Sequence, residues 1–169
     1  LDQGHFAAAE SLVKLGLETA HRIYPGDTPD RTAGLIELSS IYMRMGVVAP
    51  AESLSREALR VARAVRGGGP IAVASALANL GVLMNETGRP QESVTLQLEA
   101  LATFRSAGDV SPGRVATTLD NLANAYYALG RFDAADSAYR EAIPMKVVAY
   151  GPTNPAAFPL TRQTAPHRR

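Results

Sequence analysis

The sequence predicts an all-α chain folded as a solenoid of antiparallel helical hairpins, and three observations predict it. Glycines recur at Gly4, Gly46, Gly88 and Gly130, each 42 residues from the last. Their surroundings recur too: Gly88-Arg89 matches Gly130-Arg131, Leu77-x-Asn79-Leu80 matches Leu119-x-Asn121-Leu122, and Glu99-Ala100-Leu101 matches Glu141-Ala142-Ile143. Tyr42, Met84 and Tyr126 share one column, and Ala9, Ala51, Ser93 and Ala135 another. Third, the residues on each side of a glycine follow a helical period. Leu119, Leu122, Ala123 and Tyr126 fall on one face, as do Phe132, Ala135, Tyr139, Ala142 and Ile143. Such self-similarity marks stacked units, none of which can bury its apolar faces alone.

Taken in order, the pattern predicts helices over 5–24, 31–45, 48–66, 70–87, 90–107, 113–129 and 132–150. The first is a lone second helix, showing Phe6, Leu12, Val13 and Leu15 to no partner. Pro25-Gly26-Asp27-Thr28-Pro29 ends it. Gly46, Gly88 and Gly130 then turn three hairpins, because glycine takes φ > 0 without strain. Phe132 is expected to bury its ring between the helices of the last hairpin. Breakers separate the hairpins: Gly67-Gly68-Gly69-Pro70, Gly108 through Pro112, and Gly151-Pro152-Thr153-Asn154-Pro155. Pro144 lies inside the last helix and is expected to kink it or end it early. The resulting division is an array over 1–155, with a half repeat 4–30 and complete repeats 31–70, 71–112 and 113–155. Residues 156–169 are a proline-containing tail or a truncated next repeat.

Composition excludes several function classes. Apolar residues make up 46% and charged residues 20%, which argues against wholesale disorder. A net charge of +1 gives no general case for nucleic acid as a partner. No apolar run approaches the ~20 residues of a membrane span. Cysteine is absent, so there is no disulfide or thiolate chemistry. Fifteen of the 17 basic residues are arginine, a bias that with the abundant alanine suggests a GC-rich bacterial genome.

The residues of the last unit resemble a known pattern. Leu119-x2-Leu122-Ala123-x2-Tyr126 followed by Ala135-x3-Tyr139 has the spacing of the tetratricopeptide repeat. The 42-residue period, the stretch Ala116 through Ala123 and the Gly-Pro-Thr-Asn-Pro linker resemble the kinesin-light-chain-like subfamily. The likeness covers about residues 4–155. It departs from the pattern at Pro90, Gln97, Val48 and Ser55. It implies a right-handed superhelix of hairpins whose first helices line a concave, protein-binding face.

Carried onto this chain, the resemblance places Glu37, Ser40, Met43 and Arg44 on that face, then Asn79, Val82, Asn85 and Glu86, then Thr117, Asp120, Asn121, Asn124 and Tyr127. It implies that Asn79 and Asn121, one repeat apart, hold a peptide backbone. An amide can both donate to and accept from main-chain groups without demanding a particular side chain. Asn85 and Asn124 extend the row and Tyr127 offers an aromatic shelf. Asn121 equally suits a structural place within its hairpin. Glu37, Glu86 and Asp120 against Arg44 give the groove an acidic lean.

Nothing else in the sequence points to chemistry. His5, His21 and His167 lack metal-ligand spacing. The triple glycine lacks the following Lys-Ser/Thr of a phosphate loop, and Asn85-Glu86-Thr87 is a glycosylation sequon at a helix end. The expectation is a non-enzymatic interaction scaffold with no cofactor and a protein or peptide partner, in the cytoplasm. The alternative is a regulatory or sensor module of a larger bacterial signalling protein, binding a small ligand or its own catalytic domain. Uncapped ends favour a piece of a longer array, or self-association.

Overall fold

A computed structural model describes residues 3–65, 69–108 and 110–152, with the side chains of 3–10 and 13 left out of the description. Seven helices and no strand occur among them: α1 (Gln3–Ile23), α2 (Pro29–Arg44), α3 (Val48–Ala64), α4 (Gly69–Glu86), α5 (Pro90–Ser106), α6 (Pro112–Ala128) and α7 (Phe132–Tyr150). Each bound lies within two residues of the sequence pattern. Helix starts follow local chemistry. Thr28 caps α2 by accepting a 3.1 Å hydrogen bond from the Arg31 amide, and proline opens α2, α5 and α6, where a missing N–H costs nothing.

Three turns close the hairpins in the same way. Gly46, Gly88 and Gly130 have φ of 74°, 79° and 71°. At each, the glycine N–H and the next residue's N–H bond back to the preceding turn: Gly46 to Met43 and Val47 to Tyr42, then Gly88 to Asn85 and Arg89 to Met84, then Gly130 to Tyr127 and Arg131 to Tyr126. This satisfies carbonyls that a helix end leaves open.

The hairpins α2–α3, α4–α5 and α6–α7 stack through α3 on α4 and α5 on α6. The first helices touch in succession, α2 on α4 and α4 on α6, whereas the described backbones of α3, α5 and α7 do not meet. From α2 onward the first helices therefore form the tighter, inner layer while α3, α5 and α7 fan out, giving an all-α helical solenoid; α1 departs from this order and packs chiefly on α3. Leu35, Leu54, Leu77 and Leu119 are fully buried or nearly so, each contributing about 1.5–3 kcal/mol of transfer free energy. Small residues let the hairpin helices approach, and Ala123, Ala135 and Ala138 pack together in the last one.

The burial of Phe132 and an early helix end at Pro144 are corrected. Phe132 is 60% exposed and meets Tyr127 edge-on, ring centroids 5.2 Å apart. It opens α7 at the position of Pro90 in the preceding hairpin, and the alanines with the glycine turn close the hairpin without it. Pro144 does not end α7, which runs on to Tyr150. Its ring is exposed, where water can serve the Arg140 carbonyl that loses its partner. Of the apolar residues expected to face outward from α1, Leu15 is 56% exposed and Leu12 half-buried; the side chains of Phe6 and Val13 lie outside the described residues.

Candidate functional site

The inner faces of α2, α4 and α6 enclose two adjoining clefts. The first, of about 370 Å³, lies between α2 and α4 and is lined by Ser39, Ser40, Met43, Arg44, Asn79, Val82, Leu83 and Glu86. The second, of about 550 Å³, lies between α4 and α6; Asn79, Val82, Thr117, Asn121 and Arg114 line it, and Ala149 and Tyr150 of α7 wall one end. Asn79 and Val82 belong to both, so the clefts are compartments of one groove.

Asn79 is held from behind. Its Nδ2 donates to Ser55 Oγ at 3.0 Å, and its Oδ1 lies 3.4 Å from Ser40 Oγ, whose single hydrogen has a nearer acceptor in the Ile36 carbonyl at 3.0 Å. Ser55 is in turn 2.6 Å from Ser39 Oγ, which donates to the Ala51 carbonyl. Ser55, held by Ser39, thus anchors the Asn79 amide while leaving it one further donor. Asn121, one repeat on, makes no side-chain hydrogen bond to a described residue, and its amide is open to the second cleft.

The remaining residues expected on the concave face divide. Arg44 and Glu86 occupy equivalent positions on α2 and α4, both line the first cleft, and neither is ion-paired with a described residue. Glu37 is exposed on α2 but lines neither cleft. Asn124 accepts a 2.6 Å hydrogen bond from Tyr139 Oη. Asn85 keeps its Oδ1 buried without a partner. Tyr127 stands with Phe132 at the turn end of the hairpin, outside both clefts.

Asp120 turns into its hairpin, ion-paired with Lys146, which is only 6% exposed. Burial holds the Asp120 carboxyl above the usual range, against the pull of the Lys146 ammonium. The acidic lean therefore disappears: Asp120 is neutralised from within, and Arg114, which donates to Ser75 Oγ at 3.0 Å, adds a cation to the second cleft. Charge is divided instead. Glu86 and Arg44 offset one another on the α2–α4 side, and Arg114 stands alone on the α4–α6 side.

The outer layer carries a periodic pair that sequence reasoning missed. Arg63 reaches Glu99 at 2.9 Å, and 42 residues on Arg105 pairs with Glu141 at 2.5 Å. Both columns are visible in the repeat alignment. The register breaks at the first position, where His21 replaces arginine: His21 Nδ1 lies 2.9 Å from Arg31 Nη1, and Arg31 takes Glu57 at 3.2 Å. No cluster of His, Asp or Glu among the described residues could hold a metal ion, and no described helix is long and apolar enough to cross a membrane.

A family model described as tetratricopeptide repeat matches residues 30–106 and, overlapping them, 73–146. The chain also resembles the crystal structure of BtubC (BKLC) from P. vanneervenii, with a TM-score of 0.69 and 25% identity; the match covers 89% of this chain and 59% of that one. A putative kinesin light chain of Podosopora anserina with nearly identical TPR-like repeats matches with a TM-score of 0.61 and 19% identity, over 84% of this chain and 69% of that one. A variant of the same protein gives 0.62 and 20%, over 83% and 68%. These last two likenesses carry the fold alone. No curated protein matches the chain.

Proposed function

The chain belongs to the tetratricopeptide repeat family of protein–protein interaction scaffolds, and from that premise we propose that it binds an extended protein segment along the groove of α2, α4 and α6. One observation carries the reading. Asn121 presents an amide with no internal partner to an open cleft, one repeat after Asn79 presents an amide fixed by Ser55. Two amides in register, spaced by one helix-to-helix step of about 8–10 Å, suit the main chain of a segment crossing the helices. Val82 and Met43 offer apolar contact beside them. Asn79 and Asn121 are the main-chain clamps of this reading, and Arg44, Glu86 and Arg114 select side-chain charge. Asn124, Asn85, Asp120, Tyr127 and Glu37 act less directly: Asn124, Asp120 and Tyr127 through the contacts that hold them, Asn85 through its place on α4 and Glu37 through its charge.

The test is selection of peptides from a random display library on the intact chain, followed by titration against Asn121→Ala. Selected peptides should lose at least tenfold in affinity while the thermal melt stays in place, because Asn121 supports no internal bond. Equal binding by the variant, or no selected peptide, would overturn the reading.

A further inference from the structure

Each serine hydroxyl carries one hydrogen, and that limit gives the bonds behind Asn79 a single direction. Ser39 Oγ donates to the Ala51 carbonyl at 2.9 Å, so its hydrogen is spent. Ser39 and Ser55 stand 2.6 Å apart, and the donor between them is therefore Ser55. With its own hydrogen spent, Ser55 Oγ can only accept at 3.0 Å from Asn79. It demands the Nδ2 end of the amide and rejects the Oδ1 end. Both serines are buried, Ser39 at 1% and Ser55 at 0% exposure, so an amide turned the wrong way would set two oxygens together where bulk water cannot intervene.

The relay sets what Asn79 offers to the groove. Its Oδ1 stands 3.4 Å from Ser40 Oγ, a residue of the α2–α4 cleft, and Ser40 spends its hydrogen on the Ile36 carbonyl at 3.0 Å. On that side Asn79 presents an acceptor to which no donor is committed. Asn121 differs. In the next hairpin the column of Ser55 holds Gln97 and that of Ser39 holds Gly81. Gln97 Nε2 donates to the Ala78 carbonyl and Gly81 has no side chain, so no hydroxyl relay stands behind Asn121.

We propose that Ser39 and Ser55 are positioning residues that make Asn79 read a main-chain N–H of the bound segment from the α2–α4 cleft, and that proline is rejected at that point of the segment. The inference rests on the reading of the groove as a segment-binding site. A main chain offers N–H and C=O groups in turn, and an amide able to rotate suits either. A fixed one suits only the donor on its Oδ1 side. Asn79 thus sets which group of the segment docks beside it, while Asn121 turns to meet what arrives. Proline lacks the N–H, so it fits opposite Asn121, through a neighbouring carbonyl, but not opposite Asn79.

The test uses a library-selected peptide in which each residue in turn is replaced by its α-hydroxy acid, exchanging one N–H for an ester oxygen. Each ester is titrated against the intact chain, Asn79→Ala and Ser55→Ala, with circular dichroism checking that all three are equally helical. On the intact chain one ester should cost about tenfold or more in affinity. That cost should vanish in Asn79→Ala and fall to about threefold or less in Ser55→Ala, whose amide can turn over. A second measurement needs neither peptide nor Ser55 variant. By NMR of the intact chain, one Nδ2 proton of Asn79, assigned by its loss in Asn79→Ala, should exchange with solvent about tenfold more slowly than those of Asn121. Equal exchange at the two asparagines, no ester whose cost depends on Asn79, or a cost undiminished in Ser55→Ala would overturn the proposal. The two readings fail separately. Peptides weakened by Asn121→Ala but lacking an Asn79-dependent ester would remove only the fixed polarity of Asn79. Peptides indifferent to Asn121→Ala would remove the groove reading, and this inference with it.

Discussion

Gln97 fills the space that Gly81 leaves. A Cβ built on Gly81 would stand 2.5 Å from Gln97 Nε2, which already donates a 2.9 Å hydrogen bond to the Ala78 carbonyl on the same helix. Gln97 is fully buried, so it cannot swing aside into solvent. The same facing positions hold Ser39 against Ser55 in the first hairpin, joined by a hydrogen bond, and Ala123 against Tyr139 in the last. Each hairpin solves one close approach with a different pair.

Gly81→Ala should therefore destabilise the chain. Alanine gains up to about 1 kcal/mol of helix propensity, but overpacking costs about 1–3 kcal/mol and the Gln97 bond is strained. The double variant Gly81→Ala, Gln97→Ala should recover part of the loss. Urea denaturation of the four-member cycle measures it, and additive changes would show that the two positions are uncoupled.

Asp120 and Lys146 form a polar pair in columns that are apolar elsewhere. Forty-two residues earlier they are Ala78 and Phe104, and before that Ile36 and Ala62. Lys146→Phe alone should destabilise the chain, by less than the about 3–5 kcal/mol of a fully buried pair, because it leaves a half-buried carboxylate without its counterion. Asp120→Ala with Lys146→Phe copies the preceding hairpin and should be neutral or stabilising. Denaturation midpoints decide it: a double variant as unstable as the single would mean that the site cannot accept the earlier packing.

Much of this architecture was legible in the sequence, because its determinants are local. Gly46, Gly88 and Gly130 mark turns by backbone conformation alone, and Ala135 or Leu119 reads as core by period. Where repeats were compared by likeness, differences went unread. Lys146 and Asp120 depart from their columns together, and a charged residue entering an apolar column calls for a partner in its own hairpin. Asn79 reads as a groove residue, but its bond to Ser55 comes from the neighbouring unit and depends on how the hairpins stack. Phe132 misled because apolar character implies burial only on average, and a residue at a helix's first position can face out.

Arg31 tests the same logic at the other end of the array. It is 8% exposed, with its Nε buried and unpartnered, and its column holds Val73 and Val115 in the later repeats. Arg31→Val should change stability by less than about 1.5 kcal/mol, since it removes an incompletely satisfied charge and supplies an apolar side chain. Glu57→Ala should cost more, stripping Arg31 of its carboxylate at 3.2 Å. A loss from Arg31→Val exceeding that from Glu57→Ala, by thermal or urea melting, would refute the ordering.

Two carboxylates should bend the acid side of the stability curve in opposite directions. Hydrogen bonds from Arg60, then the charges of Arg60 and Arg31, hold Glu57 below its ordinary value of 4.5 despite partial burial. The native chain keeps that charge where the unfolded chain is already protonated. Its contribution is present above 4.5 and is lost as pH falls through the depressed value. Burial places Asp120 above 3.8, so the native state binds that proton more tightly. The Asp120 contribution is present below 3.8 and is lost as pH rises through the elevated value. Glu57→Gln should thus flatten the rise of stability between about pH 3 and 5, while the Asp120→Ala, Lys146→Phe chain should steepen it. Urea melts at several pH values across that window test both signs, and curves parallel to that of the unsubstituted chain would show that neither group is coupled to folding as the geometry implies.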